Sequence, residues 1–161
     1  MKRLRSNQGG FVLITSMIFL LIMTGLAITA IRRATLDEKV AGNLREQNLA
    51  FQAAETALRF CQNGIESDPQ TITPLIVGGN AMPSQWNTLT WSTDLQITRL
   101  PAGTVANVIA QPQCLAEKWD FRRVAGVAKN NTGDVYIITA RGTGSTSTAV
   151  VWLQSTVRFG S

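Results

Sequence analysis

Residues 8–30 read QGGFVLITSMIFLLIMTGLAITA, and residues 31–59 continue IRRATLDEKVAGNLREQNLAFQAAETALR. The first stretch contributes most of an uncharged run of 21 residues, Phe11 to Ile31. As a helix that run would span roughly 32 Å, against about 30 Å of bilayer hydrocarbon. Its polar members, Thr15, Ser16, Thr24 and Thr29, can return their hydroxyls to helix carbonyls. Lys2, Arg3 and Arg5 precede it, and a basic head stays cytoplasmic. Arg32 and Arg33 oppose that bias, but they carry less charge than the head and are followed by Asp37 and Glu38. The C-terminal part is therefore expected outside the inner membrane. Two plainer readings compete: a cleaved secretory signal, with Gly25-x-Ala27 as its small-residue site, and an ordinary single-span anchor. The run exceeds the roughly 7–15 apolar residues of a signal, and the helical pattern does not stop where the run ends.

The pattern carries on because nothing breaks it. The first proline of the chain is Pro69. Val40, Leu44, Phe51, Ala54, Leu58, Cys61 and Ile65 fall mostly three, four or seven apart, which predicts one apolar helix face. Arg33 with Asp37, and Glu55 with Arg59, are spaced to pair on the wet side. One helix of about fifty residues, some 75–80 Å long, is predicted. Its first half (11–31) is apolar all round and its second half (32–65) is one-sided. Few soluble folds need that shape, whereas a fibre of packed helices does. Gly42 falls inside this helix, where glycine costs about 1 kcal/mol relative to alanine, and nothing in the sequence explains it unless a neighbouring helix approaches closely there.

These residues resemble a known family. QGGFVLITSMIFLLIMTGLAITA looks like the class III signal of type IV pilins and type II secretion pseudopilins: basic leader, glycine, phenylalanine, hydrophobic helix. The following stretch is more specific, with threonine-leucine-acidic, then AGN, then LAFQAAE-ALR, and it resembles the N-terminal domain of PilX-type minor pilins. The likeness covers roughly residues 8 to 60. It implies a leader at 1–10 and cleavage between Gly10 and Phe11 by a membrane prepilin peptidase, which also methylates the new amine of Phe11. Gly10 offers the peptidase no bulky Cβ. The released α-amine would have an ordinary pKa of about 7.7–8.0.

Thr15 departs from the majority pattern, since major pilins carry a glutamate at the fifth mature position. An intramembrane carboxylate costs about 2.5–3.5 kcal/mol on insertion scales, so it needs a use. That use is thought to be pairing with the amine of the preceding subunit. Thr15 cannot neutralise an amine, and PilX-type pilins lack the glutamate. The resemblance implies a subunit at or near the pilus tip, with other minor pilins, the major pilin, the inner-membrane assembly platform and membrane lipid as partners. It implies support of twitching motility and adhesion. A tip-type pseudopilin of a type II secretion system, and a tip-borne adhesin or aggregation module, are the alternatives.

The remainder, 66–161, reads as a connector and a sheet domain. Pro69, Pro74, Gly78, Gly79 and Pro83 break any regular pattern across 66–93. Trp86 and Trp91 there read as rings packed on the sheet or helix. Beyond it the period changes to two. Strands are predicted at 94–100 and 104–110, joined by a P-A-G turn, and at 121–128 and 135–142, joined by KNNTGD. A fifth, 148–159, follows a loop at 143–147. Residues 111–120 read as a loop. Together these predict an α+β, type IV pilin-like fold: a long N-terminal helix packed on an antiparallel sheet.

The chemistry-bearing signals are few. The chain of 161 residues has no histidine, the commonest general base and metal ligand. GTGST (142–146) lacks the lysine and spacing of a phosphate loop, and no helix follows it. No enzyme activity, metal or cofactor is expected. Net charge is +5, and without the three basic residues of the head it is +2. Arg122 and Arg123 beside Phe121 have no wider basic patch around them, so no nucleic-acid partner is expected. Cys61 and Cys114 are the two cysteines. Outside the cytoplasm they could form one disulfide, tying helix to sheet, or stay as buried thiols. Pilin disulfides more often frame a C-terminal loop, which this spacing does not match.

Overall fold

The computed structural model describes residues 9–67, 72–77, 82–119 and 134–159. Helix α1 spans Gly9–Ser67, 59 residues without a proline. Pro69 stands two residues beyond its last turn, and a proline disfavours helical backbone in the residue before it. The chain divides into two compact units, Met1–Gly42 and Asn43–Ser161.

In the first unit the described side chains are all exposed. Thr15 donates its hydroxyl to the Phe11 and Val12 carbonyls, each at 3.0 Å. Ser16, Thr24 and Thr29 do the same to the carbonyls three residues back. The polar members of the apolar run are thus satisfied within their own helix, as a membrane interior requires. The helix is long and apolar enough to cross a membrane.

The second unit packs the C-terminal part of α1 on a five-stranded sheet. The strands are β1 (Leu75–Val77), β2 (Thr98–Arg99), β3 (Gln113–Trp119), β4 (Asp134–Thr143) and β5 (Val150–Phe159). β1, β3, β4 and β5 lie side by side in that order, and β2 shares with β1 the outer edge of β3. β1 runs parallel to β3, pairing Leu75–Val77 with Glu117–Trp119. The other pairings are antiparallel. The sheet is therefore mixed at one edge, and the 66–93 connector is not wholly irregular.

The side of the sheet facing α1 carries Cys114, Ala116, Ile138 and Ala140, which bury Ala57, Cys61 and Ile65 together with Ile72 and Leu100. The helix face that packs is made chiefly of small residues: Ala50, Ala53, Ala54, Ala57 and Cys61 are all fully buried. This corrects the predicted face. Val40, Leu44 and Phe51 remain 55%, 58% and 48% exposed. The physical reason is proximity. A Cβ on Gly142 of β4 would lie 2.2 Å from the Ala50 carbonyl oxygen and 2.3 Å from the Ala54 nitrogen, so helix and strand backbones nearly touch. Only alanine-sized side chains fit beside such a contact. Gly142 lies within β4, inside the strand predicted over 135–142.

Three further expectations fail in whole or in part, all in the 94–120 region. Residues 104–110 form turns and bends, with Asn107 at φ 61° and, just before them, Gly103 at φ 84°. The side-chain amide of Gln111 takes over both backbone groups of Val105, accepting from its N–H at 3.1 Å and donating to its carbonyl at 3.0 Å. A strand ladder there has nothing left to satisfy at Val105. Conversely 113–119, read as part of a loop, is the central strand β3. Of the predicted strand 94–100 only Thr98–Arg99 pairs. The strand expected at 121–128 and its KNNTGD turn lie outside the described residues, except that Asp134 opens β4. β4 and β5 lie where expected, joined at a turn in which Gly144 donates to the Ala149 carbonyl at 2.8 Å.

Candidate assembly and interaction sites

The expected processing and assembly residues sit at the start of α1. Gly10 and Phe11 are in its first turns, with nothing among the described residues within 4 Å of the position a Gly10 Cβ would take, and Phe11 is exposed. Thr15 lies one turn on, its hydroxyl closed on the carbonyls of Phe11 and Val12. It is neutral and its one proton is already donated. A neighbouring positive amine would find no countercharge on it.

In the second unit the Cys61 and Cys114 sulfurs are bonded, with Cα atoms 6.3 Å apart. Cys61 comes from the alanine face of α1 and Cys114 from β3, where it is a strand residue rather than one just past a strand. The bridge pins the centre of the sheet to the helix.

The far side of the sheet holds a second core. Trp91, Ile97 and Leu115 are buried together, with Trp86 and Leu89 packed against them. Trp91 meets Trp152 edge-on at 4.7 Å, and Trp86 lies tilted at 6.1 Å from the same ring. The Arg141 guanidinium stands 5.7 Å from the Trp152 ring centre, a cation–π contact. Trp152 is the exposed member of this set, at 43%. A shallow recess of about 80 Å³ opens beside it, lined by Trp86, Thr139, Trp152, Leu153 and Gln154. Trp86 and Trp91 thus pack on the sheet, as their sequence context predicts.

Polar groups hold this layer in place. Trp91 donates its indole N–H to the Trp86 carbonyl at 2.7 Å, and Gln113 donates to the Trp91 carbonyl at 2.8 Å. Arg99 donates to the carbonyls of Trp91 and Ser92. Glu117, fully buried in β3, accepts from the Gln85 N–H at 2.9 Å and so holds the short 3-10 turn Gln85–Asn87. Its other oxygen has no hydrogen-bond partner among the described residues. Burial pushes the Glu117 carboxyl above the usual carboxylate value, only partly offset by the Gln85 and Trp86 N–H groups. Glu46 behaves oppositely. It accepts from the Ser145 hydroxyl and N–H at 2.7 and 2.8 Å, and these bonds lower its pKa. It thereby ties the β4–β5 turn to α1.

Glu46, Glu117, Gly142 and Trp152 were not singled out by sequence reasoning as contact residues. Gly142 carried a usable signal, because a glycine inside an alternating strand marks a bulge or a close backbone approach. Trp152 carried only its place in a predicted strand, and Glu46 and Glu117 carried no signal. Among the described residues no group of three or more His, Cys, Asp or Glu is placed to hold a metal ion.

A comparison with protein families accounts for this arrangement. Residues 9–59 match the PilX N-terminal family, and residues 57–159 match the C-terminal family of the type IV pilus assembly protein PilX. The chain belongs to the PilX family of type IV pilus minor pilins. Comparison with curated proteins and with solved structures gives no match. In PilX terms, the first match contains Gly10, Phe11, Thr15 and the alanine face. The second contains the disulfide, the sheet and the tryptophan layer. The family is one of structural pilins, which interact with other pilins in the pilus.

Proposed function

We propose that this chain primes assembly of a type IV pilus, remains at or near the tip, and supports twitching motility and adhesion. Its helix is the working part. A membrane prepilin peptidase removes residues 1–10 by cutting between Gly10 and Phe11 and methylates the Phe11 amine. The apolar helix then leaves the inner membrane, with the sheet domain on the periplasmic side, and packs among the helices of other minor pilins, the major pilin and the assembly platform. The observation that carries this reading is Thr15, a neutral residue whose hydroxyl is closed on its own helix. A subunit without a carboxylate there has no charge with which to dock onto a preceding amine, so it suits the start of a fibre. The match of the sheet domain to the pilus assembly family favours the pilus over a secretion pseudopilus.

Deleting the gene should abolish or sharply reduce pili and twitching, and sheared fibres from the wild type should contain this chain at low copy. Gly10→Trp should leave the precursor uncut. A mature protein of unchanged size with normal pili would refute the processing step. Thr15→Glu should reduce pilus number, and immunogold labelling spread evenly along the shafts would refute the tip position.

A further inference from the structure

Trp152 stays 43% exposed although three neighbours hold its ring: Trp91 edge-on at 4.7 Å, Trp86 tilted at 6.1 Å and the Arg141 guanidinium at 5.7 Å. The recess beside it has a fixed polar wall. Gln154 donates its side-chain amide to the Thr139 hydroxyl at 3.0 Å, and Thr139 is buried. That bond sets the plane of the Gln154 amide. An amide has two N–H donors and a carbonyl acceptor, so one donor and the acceptor are left for a ligand among the described residues. The loop behind the recess is also held, through Gln85 by Glu117 and through Trp91 by Gln113. Little side-chain or loop freedom is therefore lost when a ligand arrives.

Size and polarity select the occupant. The apolar platform on this side of β5 is one indole wide, because the next residues on it, Gln154 and Thr156, are polar and exposed. A protein interface buries about 800 Å² per partner, far more than the recess offers. Charge does not select a ligand either. The recess has no carboxylate in its lining, and the nearby Arg141 already meets the Trp152 ring and the Gln113 side-chain oxygen, the latter at 3.3 Å. The complementary ligand is neutral, rigid and about one ring across. It needs C–H groups on one face for the indole and hydroxyls at its rim for the amide. A pyranose sugar has that form.

We infer that Trp152 and Gln154 bind a neutral pyranoside ring of a glycan, with its C–H face against the indole and its hydroxyls on the Gln154 amide. Trp86 walls the site and Thr139 fixes the amide. This names a ligand class for the adhesion in the proposed function, and its use at a pilus rests on that reading. The binding itself is a property of the sheet domain and is measurable without a pilus.

Saturation-transfer NMR on the full chain tests it, in a zwitterionic detergent that carries no sugar. The probe is methyl β-D-galactopyranoside, whose axial hydroxyl leaves several C–H groups together on the opposite face of the ring. Galactitol, the acyclic polyol of the same configuration, is the control. The galactoside should saturate through those C–H groups with a Kd of about 1 mM, and galactitol should not. Trp152→Ala should abolish the transfer. Gln154→Leu, which leaves the tryptophans in place, should weaken it about fivefold or more while keeping the tryptophan emission of the folded domain. No transfer at about 10 mM galactoside, equal transfer to galactitol, or transfer unchanged in Gln154→Leu each overturns the inference and leaves the proposed function standing. Beads bearing the galactoside and beads bearing the producing cell's own surface polysaccharide distinguish a foreign glycan from a self glycan as the source. Retention on either that is lost in Gln154→Leu supports the site, and retention on neither overturns it. A gene deletion that leaves pili and twitching intact overturns the proposed function instead, and does not alter the sugar titration.

Discussion

Replacing Gly142 by alanine adds a single methyl group, yet it should be among the most damaging changes in the sheet domain. The new Cβ would lie 2.2 Å from Ala50 O, 2.3 Å from Ala54 N and 2.9 Å from Ala54 Cα. These are backbone atoms of α1, so no rotamer change can relieve the clash. Reaching ordinary contact requires helix and strand to separate by about 1 Å, and a gap of that size forfeits a quarter to a half of each dispersion contact along the seam. Ala50, Ala53, Ala54 and Ala57 all line that seam, and they have no longer side chain with which to refill it. Overpacking usually costs about 1–3 kcal/mol, and the rigidity of both partners puts this case near the top, at about 3 kcal/mol. With a urea slope of about 1.5 kcal/mol/M, the midpoint should fall by about 2 M. The assay is tryptophan fluorescence of the full chain in detergent, because Trp86, Trp91, Trp119 and Trp152 all belong to the second unit. Gly42→Ala is the control, since nothing lies within 4 Å of the position its Cβ would take, and it should not lower the midpoint. A Gly142→Ala protein that unfolds at the wild-type midpoint, or moves no more than Gly42→Ala, would refute the close-contact account.

Three other outcomes follow from the same domain. The Cys61–Cys114 bridge closes a sequence separation of 53 residues, so Cys61→Ser with Cys114→Ser should lower stability by about 4 kcal/mol by the chain-entropy relation, read as a urea midpoint under oxidising conditions. Burial raises the folded-state pKa of Glu117 above 4.5, so its contribution is fully present below that value and is lost as pH rises through the folded pKa. Glu117→Gln should flatten that fall and match or exceed the wild type in midpoint at pH 7; an unchanged pH profile would count against it. The Glu46 pKa is lowered by Ser145, so its contribution is present above 4.5 and is lost as pH falls through the folded pKa. Glu46→Gln should therefore speed hydrogen exchange at Ser145 at pH 7 and matter little in acid, and equal exchange at neutral pH would contradict the clamp.

The long helix was legible because its signals are local and repeated: no proline to residue 67, a charge-free run, and a steady apolar period. β4 and β5 were legible for the same reason, as runs rich in β-branched and aromatic residues that flank a Gly/Ser/Thr turn. β3 was not. Its sequence QCLAEKW sets Gln113 and Glu117 at inward positions, which alternation rules read as solvent-facing. Those two side chains are buried because the tryptophan loop supplies backbone partners for them, and that loop is distant in sequence. Residues 104–110 erred the other way. They alternate like a strand, but the side chain of Gln111 satisfies Val105 first. The packing face of α1 was misplaced because size was taken as a guide to burial. At Gly142 the sheet approaches so closely that only the small residues Ala50, Ala53 and Ala54 fit, while Ile65 packs farther along the helix.

That inversion separates two tasks on one helix. Alanines on the face toward the sheet let backbones approach, and a disulfide locks the seam. Leu44 and Phe51 lie about 100° around the helix from that seam and remain open. An apolar side chain left in water contributes nothing to its own domain, while burying a phenylalanine against a partner is worth about 1.5–3 kcal/mol. The two faces should therefore respond oppositely to substitution. Phe51→Ala should leave the unfolding midpoint of the free chain within about 0.5 kcal/mol of wild type, as surface changes do, yet reduce the amount of this chain recovered in sheared pili. Ala54→Phe should do the reverse at the first step, unfolding the domain by forcing a ring into a seam already at backbone contact. Equal loss of domain stability in both variants would show that Phe51 belongs to the domain core after all, and that the open face serves no partner.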